Sequence, residues 1–198
     1  MIIWINGAFG AGKTQTAYEL HRRLERSYVY DPENAGYFIG KNVPKSICQN
    51  DFQDYSMWRE FNYSMLKHLD LEFGGVIIAP MTVVSLQYFD EIVGRLRKGG
   101  VVVHHFTLCA SRETLKKRLR SRGEGGKSWA AEQMDRCIEG LSDEAFQHHI
   151  DTDDRSISDN AELIASLSNL ELLPDNRSMA RKALDRWITQ IKHIRFFG

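Results

Sequence analysis

Residues 7 to 14 read Gly-Ala-Phe-Gly-Ala-Gly-Lys-Thr and satisfy G-x-x-x-x-G-K-[ST] without a mismatch. That spacing suits phosphate chemistry. Glycines at 7, 10 and 12 allow tight positive-φ turns, so backbone N–H groups can point inward at phosphate oxygens. The helix that follows adds its N-terminal partial positive charge. Lys13 supplies a full charge for the β and γ phosphates, and the Thr14 hydroxyl suits Mg²⁺, which prefers oxygen ligands. The cradle is therefore read as Gly7, Ala8, Phe9, Gly10, Ala11, Gly12, Lys13, Thr14 and Gln15, with ATP and Mg²⁺ as the ligands. The competing reading is a plain glycine turn with a solvated lysine. The apolar run before the motif (Met1–Ile5) and the helical spacing after it (Thr16–Leu24) argue against that.

Three further groups carry charge or rings where a triphosphate could use them. Asp31 follows an apolar stretch in Tyr-Val-Tyr-Asp-Pro-Glu. In open α/β sheets ligands bind beyond the carboxyl ends of strands. Asp31 is thus a candidate base for an attacking hydroxyl or an orienter of the metal, with Glu33 as second choice. Pro32 keeps Asp31 extended, and a simple Asp-Pro turn opener is the alternative. Arg118 and Arg122 stand four apart, on one face of an expected helix. Gly123-Glu-Gly-Gly126 then supplies a hinge, so the arginines read as a lid that covers the γ-phosphate and excludes water. A solvated basic helix end is the alternative, to which Arg120 is assigned; Arg136 lies beyond the glycines as a further candidate. Between Phe52 and Tyr63 the chain is aromatic. Trp58 and Arg59 are candidates to stack on a flat acceptor and hold its anionic group, against a core stripe of Trp58, Phe61 and Met65.

Positioning these groups requires strands that end beside the loop. Apolar runs at Ile2–Ile5, Tyr28–Tyr30, Val76–Ala79, Val101–Leu108 and His148–Asp151 alternate with helical patterns at Lys13–Arg26, Tyr55–Leu71, Ser85–Arg97, Ser111–Arg122, Ala131–Leu141 and Ser158–Leu167. Strands spaced by helices imply a parallel sheet covered on both faces. Ser111 and Ser158 are expected N-caps. The third strand, running to Pro80-Met-Thr82, lacks the terminal Asp that often helps hold Mg²⁺. Thr82 could substitute through its hydroxyl, or Asp31 could serve. The His104-His105 and His148-His149 pairs lie in strands, where neighbouring side chains face opposite ways and cannot chelate together.

The composition fits one domain: 198 residues, 42% hydrophobic. Cys48, Cys109 and Cys137 include no C-x-x-C pair, which argues for free thiols in a reducing cytosol. The first residues do not read as a secretory leader, because their apolar run ends inside the phosphate loop. No apolar stretch has the length of a membrane span. The zero net charge divides unevenly. From Arg177 onward six basic residues face Asp185 alone, and the other 176 residues carry 20 basic and 25 acidic. The turn cluster Pro174-Asp175-Asn176 marks the boundary, giving a body over 1–175 and a tail over 176–198. Within the body, 32–73 reads as a substrate-binding insertion and 118–133 as the lid. In the tail, apolar residues from Ala180 to Ile194 share helical spacing, basic residues fill other positions, and Phe196 and Phe197 follow. A basic amphipathic helix over 177–197 suits an anionic membrane face; packing on the body with the basic face in solvent is the alternative.

With the loop, Asp31-Pro-Glu, Trp58-Arg59, the arginine lid and the opening Ile-Ile-Trp-Ile-Asn-Gly-Ala-Phe-Gly in view, the chain resembles the bacterial tunicamycin-resistance ATP-binding proteins over nearly its whole length. That family is similar to nucleoside monophosphate and shikimate-type small kinases. The resemblance implies a phosphate-loop NTPase fold with a five-stranded parallel sheet, ATP and Mg²⁺ binding, and protection against tunicamycin. It also implies a cytoplasmic protein peripherally attached to the membrane through its last helix. From the related kinases, Arg118 would stack on adenine and Arg122 would contact phosphates. The expected activity is phosphoryl transfer to a hydroxyl of the nucleoside. ATP-controlled sequestration and a metabolic small-molecule kinase are the alternatives. No N-K-x-D guanine motif is present, and no D-x-x-G follows a strand, which disfavours a GTPase switch.

Overall fold

The computed structural model describes residues 1–124, 128–146 and 148–193. Five parallel strands form one sheet in the order β2-β3-β1-β4-β5. They are β1 (Ile2–Gly7), β2 (Ser27–Val29), β3 (Val76–Pro80), β4 (Val103–Cys109) and β5 (His149–Asp151). Every residue of β1 and β3 is buried, which explains why both read as unbroken apolar runs rather than alternating ones. The register aligns Ile2 with Ile77 and Val103, and Gly7 with Leu108. The carboxyl ends of the three central strands therefore lie side by side beneath the phosphate loop. His105, on β4, is buried among Phe89 and Phe146, and burial holds its pKa down at about 3.

Among the helices, α1 (Lys13–Arg23) follows the loop, and α9 (Ile157–Leu167) packs against it. The segment between β3 and β4 contains α4 (Leu86–Phe89), a π-helical stretch (Asp90–Gly94) and α5 (Arg95–Lys98). Ser111 caps α6 (Arg112–Arg120) by accepting from Thr114 N–H, as expected. The cap of α9 is Ser156 rather than Ser158. Ser156 accepts from Asp159 N–H, and the Asp159 carboxylate accepts from Ser156 N–H, a reciprocal pair that Ser158 could not build.

One helix was not expected, α2 (Glu33–Asn42). Gly36 and Gly40 make it a weak helix former. Packing overrides that preference at Gly36: a Cβ there would lie 2.4 Å from the Phe52 ring, so only glycine lets the helix meet the turn before α3 (Ser56–Phe73). Short α7 (Trp129–Glu132) and α8 (Met134–Gly140) come later, beyond the turn that ends α6, and α10 (Met179–Lys192) ends the described chain. Gly125, Gly126 and Lys127 of the expected hinge and lid, and residues 194–198 of the tail, lie outside the described residues.

Candidate functional site

The phosphate loop begins where β1 ends. Gly7 has φ 146° and sits against β4, where a Cβ would approach the Leu108 carbonyl to 2.7 Å. Gly12 precedes α1 in the left-handed region at φ 101°. A side chain at either position is strained or blocked, so the loop is a backbone cradle by construction. It is pinned from beneath. The Asn6 side-chain oxygen Oδ1 accepts from the N–H groups of Gly7 (2.9 Å) and Val83 (3.0 Å), and its side-chain amide nitrogen donates to the Val83 carbonyl at 2.8 Å. Thr82 donates its hydroxyl to the Gly7 carbonyl at 2.8 Å.

Lys13 is buried in this cradle. Its ammonium donates to the carbonyls of Gly7 (2.9 Å) and Ala8 (3.1 Å) and lies 5.3 Å from the centre of the Phe9 ring. Burial pulls its pKa down to about 8. Glu33 is the first of the charges offsetting that pull, ahead of Asp31, while Arg122 adds to it and the Cys137 thiol lies nearby. The fold thus brings Lys13, both candidate carboxylates and the second lid arginine into one electrostatic neighbourhood. Glu33, the second choice from sequence, acts on Lys13 more strongly than Asp31. Cys137 was not singled out from sequence at all. It is buried on α8, and burial pushes its thiol pKa up. Thr14 is half-buried at the second position of α1.

Asp31 is both a turn opener and a neighbour of the lysine. Its carboxylate accepts from Glu33 N–H at 3.0 Å, starting α2, and Glu33 accepts from the Tyr37 hydroxyl at 3.3 Å. The Asp-Pro turn is held from behind by Trp58, whose indole N–H donates to the Pro32 carbonyl at 3.0 Å. This corrects the assignment of Trp58 as a stacking platform. The ring has no exposed surface, so it can position the turn but cannot touch a ligand; the expected core stripe fails at Phe61, which is 53% exposed, and the helix buries Asn62 and Leu66 instead.

Arg59 is also committed. It pairs with Glu91, donates to the Gln53 carbonyl, and stacks 4.2 Å from the centre of the Tyr88 ring. With 8% exposure it braces the insertion and does not present an open guanidinium to an acceptor. Thr82 is likewise buried. Its hydroxyl is spent on Gly7 and its carbonyl accepts from Gln53 at 3.1 Å, so it braces the loop and does not face a substrate. Arg136 on α8 reaches the insertion through Asp51, at 3.5 Å.

Arg118 and Arg122, the arginines of the expected lid, converge by a route different from the expected one. α6 ends at Arg120, and Arg122 lies in the following turn, its N–H bonded to the Leu119 carbonyl at 3.0 Å. The two are therefore not successive residues of one helix face, yet both line one cavity of about 290 Å³ beside Gly10–Gly12. Arg118 is aimed there by Thr152, accepting at 3.0 Å through its hydroxyl and 2.6 Å through its carbonyl. Arg122 is depressed in pKa by burial and feels Arg118 nearby. The far wall comes from Arg155 and Asn160, in the segment after β5, and from Arg186 on α10. These three were missed in the sequence. For Arg155 a signal existed, because it follows a strand whose carboxyl end faces the ligand side.

The arrangement fits a nucleotide: a phosphate cradle with a buried lysine, continuous with a cavity bordered by guanidinium groups. Among the described residues no three His, Cys, Asp or Glu side chains group to hold a metal ion.

A family model described as an AAA domain matches residues 2–141. The tunicamycin resistance protein of Deinococcus radiodurans, a solved structure, is 35% identical, with a TM-score of 0.76 over 88% of this chain and 98% of that one. The chain belongs to the tunicamycin-resistance family. Its fold is shared more widely. The APS kinase of Mycobacterium tuberculosis, solved with AMPPNP and APS, has a TM-score of 0.54 at 15% identity over 85% of this chain and 96% of that one. The shikimate kinase of Bacteroides thetaiotaomicron has a TM-score of 0.57 at 18% identity over 86% and 99%. At such identities the likeness concerns the fold alone. No curated protein matches the sequence. Membership in this phosphate-loop, kinase-like family implies nucleotide binding.

Proposed function

We propose that the protein transfers the γ-phosphoryl group of MgATP to a hydroxyl of tunicamycin or a related nucleoside. The observation that carries this reading is the buried Lys13, held by the loop carbonyls within electrostatic reach of Glu33, Asp31 and Arg122. Carboxylates and a guanidinium that all act on one buried lysine suit a site that handles both a phosphate and an acceptor hydroxyl. The resistance named for the Deinococcus relative supplies the acceptor class.

In this reading the loop backbone from Gly7 to Gln15 and Lys13 hold the β and γ phosphates. Arg122 neutralises charge developing on the transferred group, and Arg118 borders the base. Asp31 or Glu33 accepts the proton of the acceptor hydroxyl as its oxygen bonds to phosphorus. The bond to the β–γ bridging oxygen breaks and ADP leaves. Thr14 and Asp31 are the residues that would hold Mg²⁺, which would supply charge neutralisation across the phosphates.

Mass spectrometry of the drug after incubation with protein and MgATP tests the proposal. A product heavier by one phosphate, absent with Lys13→Ala, is expected. Drug bound stoichiometrically and recovered unchanged by active protein would establish sequestration in its place.

The tail is proposed to rest on an anionic membrane surface. No helix of the described residues is long and apolar enough to cross a membrane. Met179, Leu184, Trp187, Ile188 and Ile191 of α10 are nonetheless exposed, Trp187 by 61%, beside the basic residues of the same helix. An apolar stripe flanked by positive charge is the pattern of an interfacial helix.

A further inference from the structure

We propose that α10 is a wall of the nucleotide site, with Arg186 a nucleotide-binding residue, so that nucleotide binding and docking of the C-terminal helix are coupled. The inference rests on the reading that the cavity beside the phosphate loop receives ATP.

Among the described residues, the cavity walls carry four guanidinium groups, from Arg118, Arg122, Arg155 and Arg186, and no carboxylate. Such a surround calls for an anion. Arg186 reaches it from outside the β–α core because Gln15, the residue after Thr14, donates its amide to the Arg186 carbonyl at 2.9 Å. That bond ties α10 to the first turn of α1, where the phosphate cradle ends.

The other basic residues near the start of α10 are spent on acids. Arg177 pairs with Asp175, Asp185 and Glu19, Arg181 with Asp185, and Lys182 with Asp175. Arg186 has no ion pair among the described residues, and it is the basic residue of α10 that borders the cavity. A second observation concerns hydrogen bonding. Two amide oxygens of cavity-lining residues, on Gln15 and Asn160, are buried without a partner among the described residues. A ligand that brings both negative charge and N–H or O–H donors satisfies the two deficits together. A nucleotide, with its phosphates, ribose hydroxyls and base amine, is such a ligand.

The coupling follows by linkage. If bound nucleotide touches Arg186, anything that pulls α10 away weakens nucleotide binding, and nucleotide strengthens the docking of α10 by the same factor. The exposed apolar stripe of α10 would then belong to a helix whose seating reports whether ATP is bound.

The test uses the full-length protein. MgATP affinity is measured calorimetrically for wild type, Arg186→Ala, Arg186→Lys and Arg181→Ala, and hydrogen–deuterium exchange is followed in residues 179–192 with and without MgATP. The expected result is affinity about tenfold weaker in Arg186→Ala, from the loss of one charge-assisted contact, with part restored in Arg186→Lys. Arg181→Ala binds as wild type, and MgATP slows exchange in α10 of the wild type. Equal affinity in Arg186→Ala, together with exchange in α10 that ignores MgATP, overturns the coupling and leaves the nucleotide site standing. A wild-type protein that does not bind MgATP overturns the site itself, and the coupling with it.

Discussion

Burial of Lys13 makes nucleotide binding depend on pH in a range where most lysines do not titrate. A pKa of about 8 leaves the ammonium about 90% charged at pH 7 and about 10% charged at pH 9. A polyphosphate selects the charged form. Affinity for MgATP should therefore fall about tenfold between pH 7 and pH 9, and binding at pH 9 should take up nearly one proton from solvent, against about a tenth of one at pH 7. Calorimetry in buffers of different ionisation enthalpy, at constant ionic strength, reads both quantities. Two variants locate the effect. Lys13→Arg keeps its charge throughout, so its weaker binding should show no inflection near pH 8. Glu33→Gln removes the main charge that favours the ammonium, so its inflection should move to lower pH. The reasoning is refuted by a flat affinity and no proton uptake from pH 7 to 9 in a protein that loses MgATP binding on Lys13→Ala.

Other consequences are more local. Gly7→Ala places a Cβ 2.7 Å from the Leu108 carbonyl at a φ of 146°, and should cost about 1–3 kcal/mol in urea unfolding besides deforming the loop. His105 binds its proton near pH 3 when folded and near 6.5 when unfolded. Between those values the unfolded state holds more protons, so stability falls as pH falls. The loss from pH 7 to pH 4 is about 3 kcal/mol at most, and urea titrations of His105→Leu should show that share of the acid slope removed. The double variant Leu184→Glu, Trp187→Glu puts charge into the exposed stripe of α10 and should reduce sedimentation with anionic vesicles about tenfold or more; unchanged sedimentation would refute the membrane role.

Much of the fold was legible because β1 and β3 are buried on both faces and so appear as continuous apolar runs. The cradle was legible because its requirements are local: backbone turns, one lysine and one hydroxyl, contiguous in sequence. What escaped depends on contacts between distant residues. α2 was hidden because Gly36 is demanded by Phe52, sixteen positions away, and not by helix preference. Trp58 and Arg59 looked available to a ligand because aromatic and basic side chains are common in binding sites. Only their burial and their bonds to Pro32, Glu91 and Gln53 assign them to the scaffold. The cavity wall at Arg155 and Arg186 joins segments more than a hundred residues from the loop, and no spacing rule reaches that far.

The orientation of α10 is the sharpest case. Its sequence marks a stripe of apolar residues and a set of charged ones, but amphipathicity alone does not say which side turns inward. The deciding partner is α1, which offers Glu19, Arg22 and Gln15 where the helix lands. Arg177 meets Glu19, Asp185 and Asp175 together, and that cluster holds the Asp175 carboxyl far below the usual carboxylate range. Asp185 and Thr189, among the more polar residues of the helix, are consequently its buried ones, while Leu184, Trp187, Ile188 and Ile191 face outward. A helix driven mainly by the hydrophobic effect would sit the other way round. Its polar seat places Arg186 at the cavity beside the phosphate loop and leaves its apolar side exposed, so under the two proposals different faces of one helix answer to different partners.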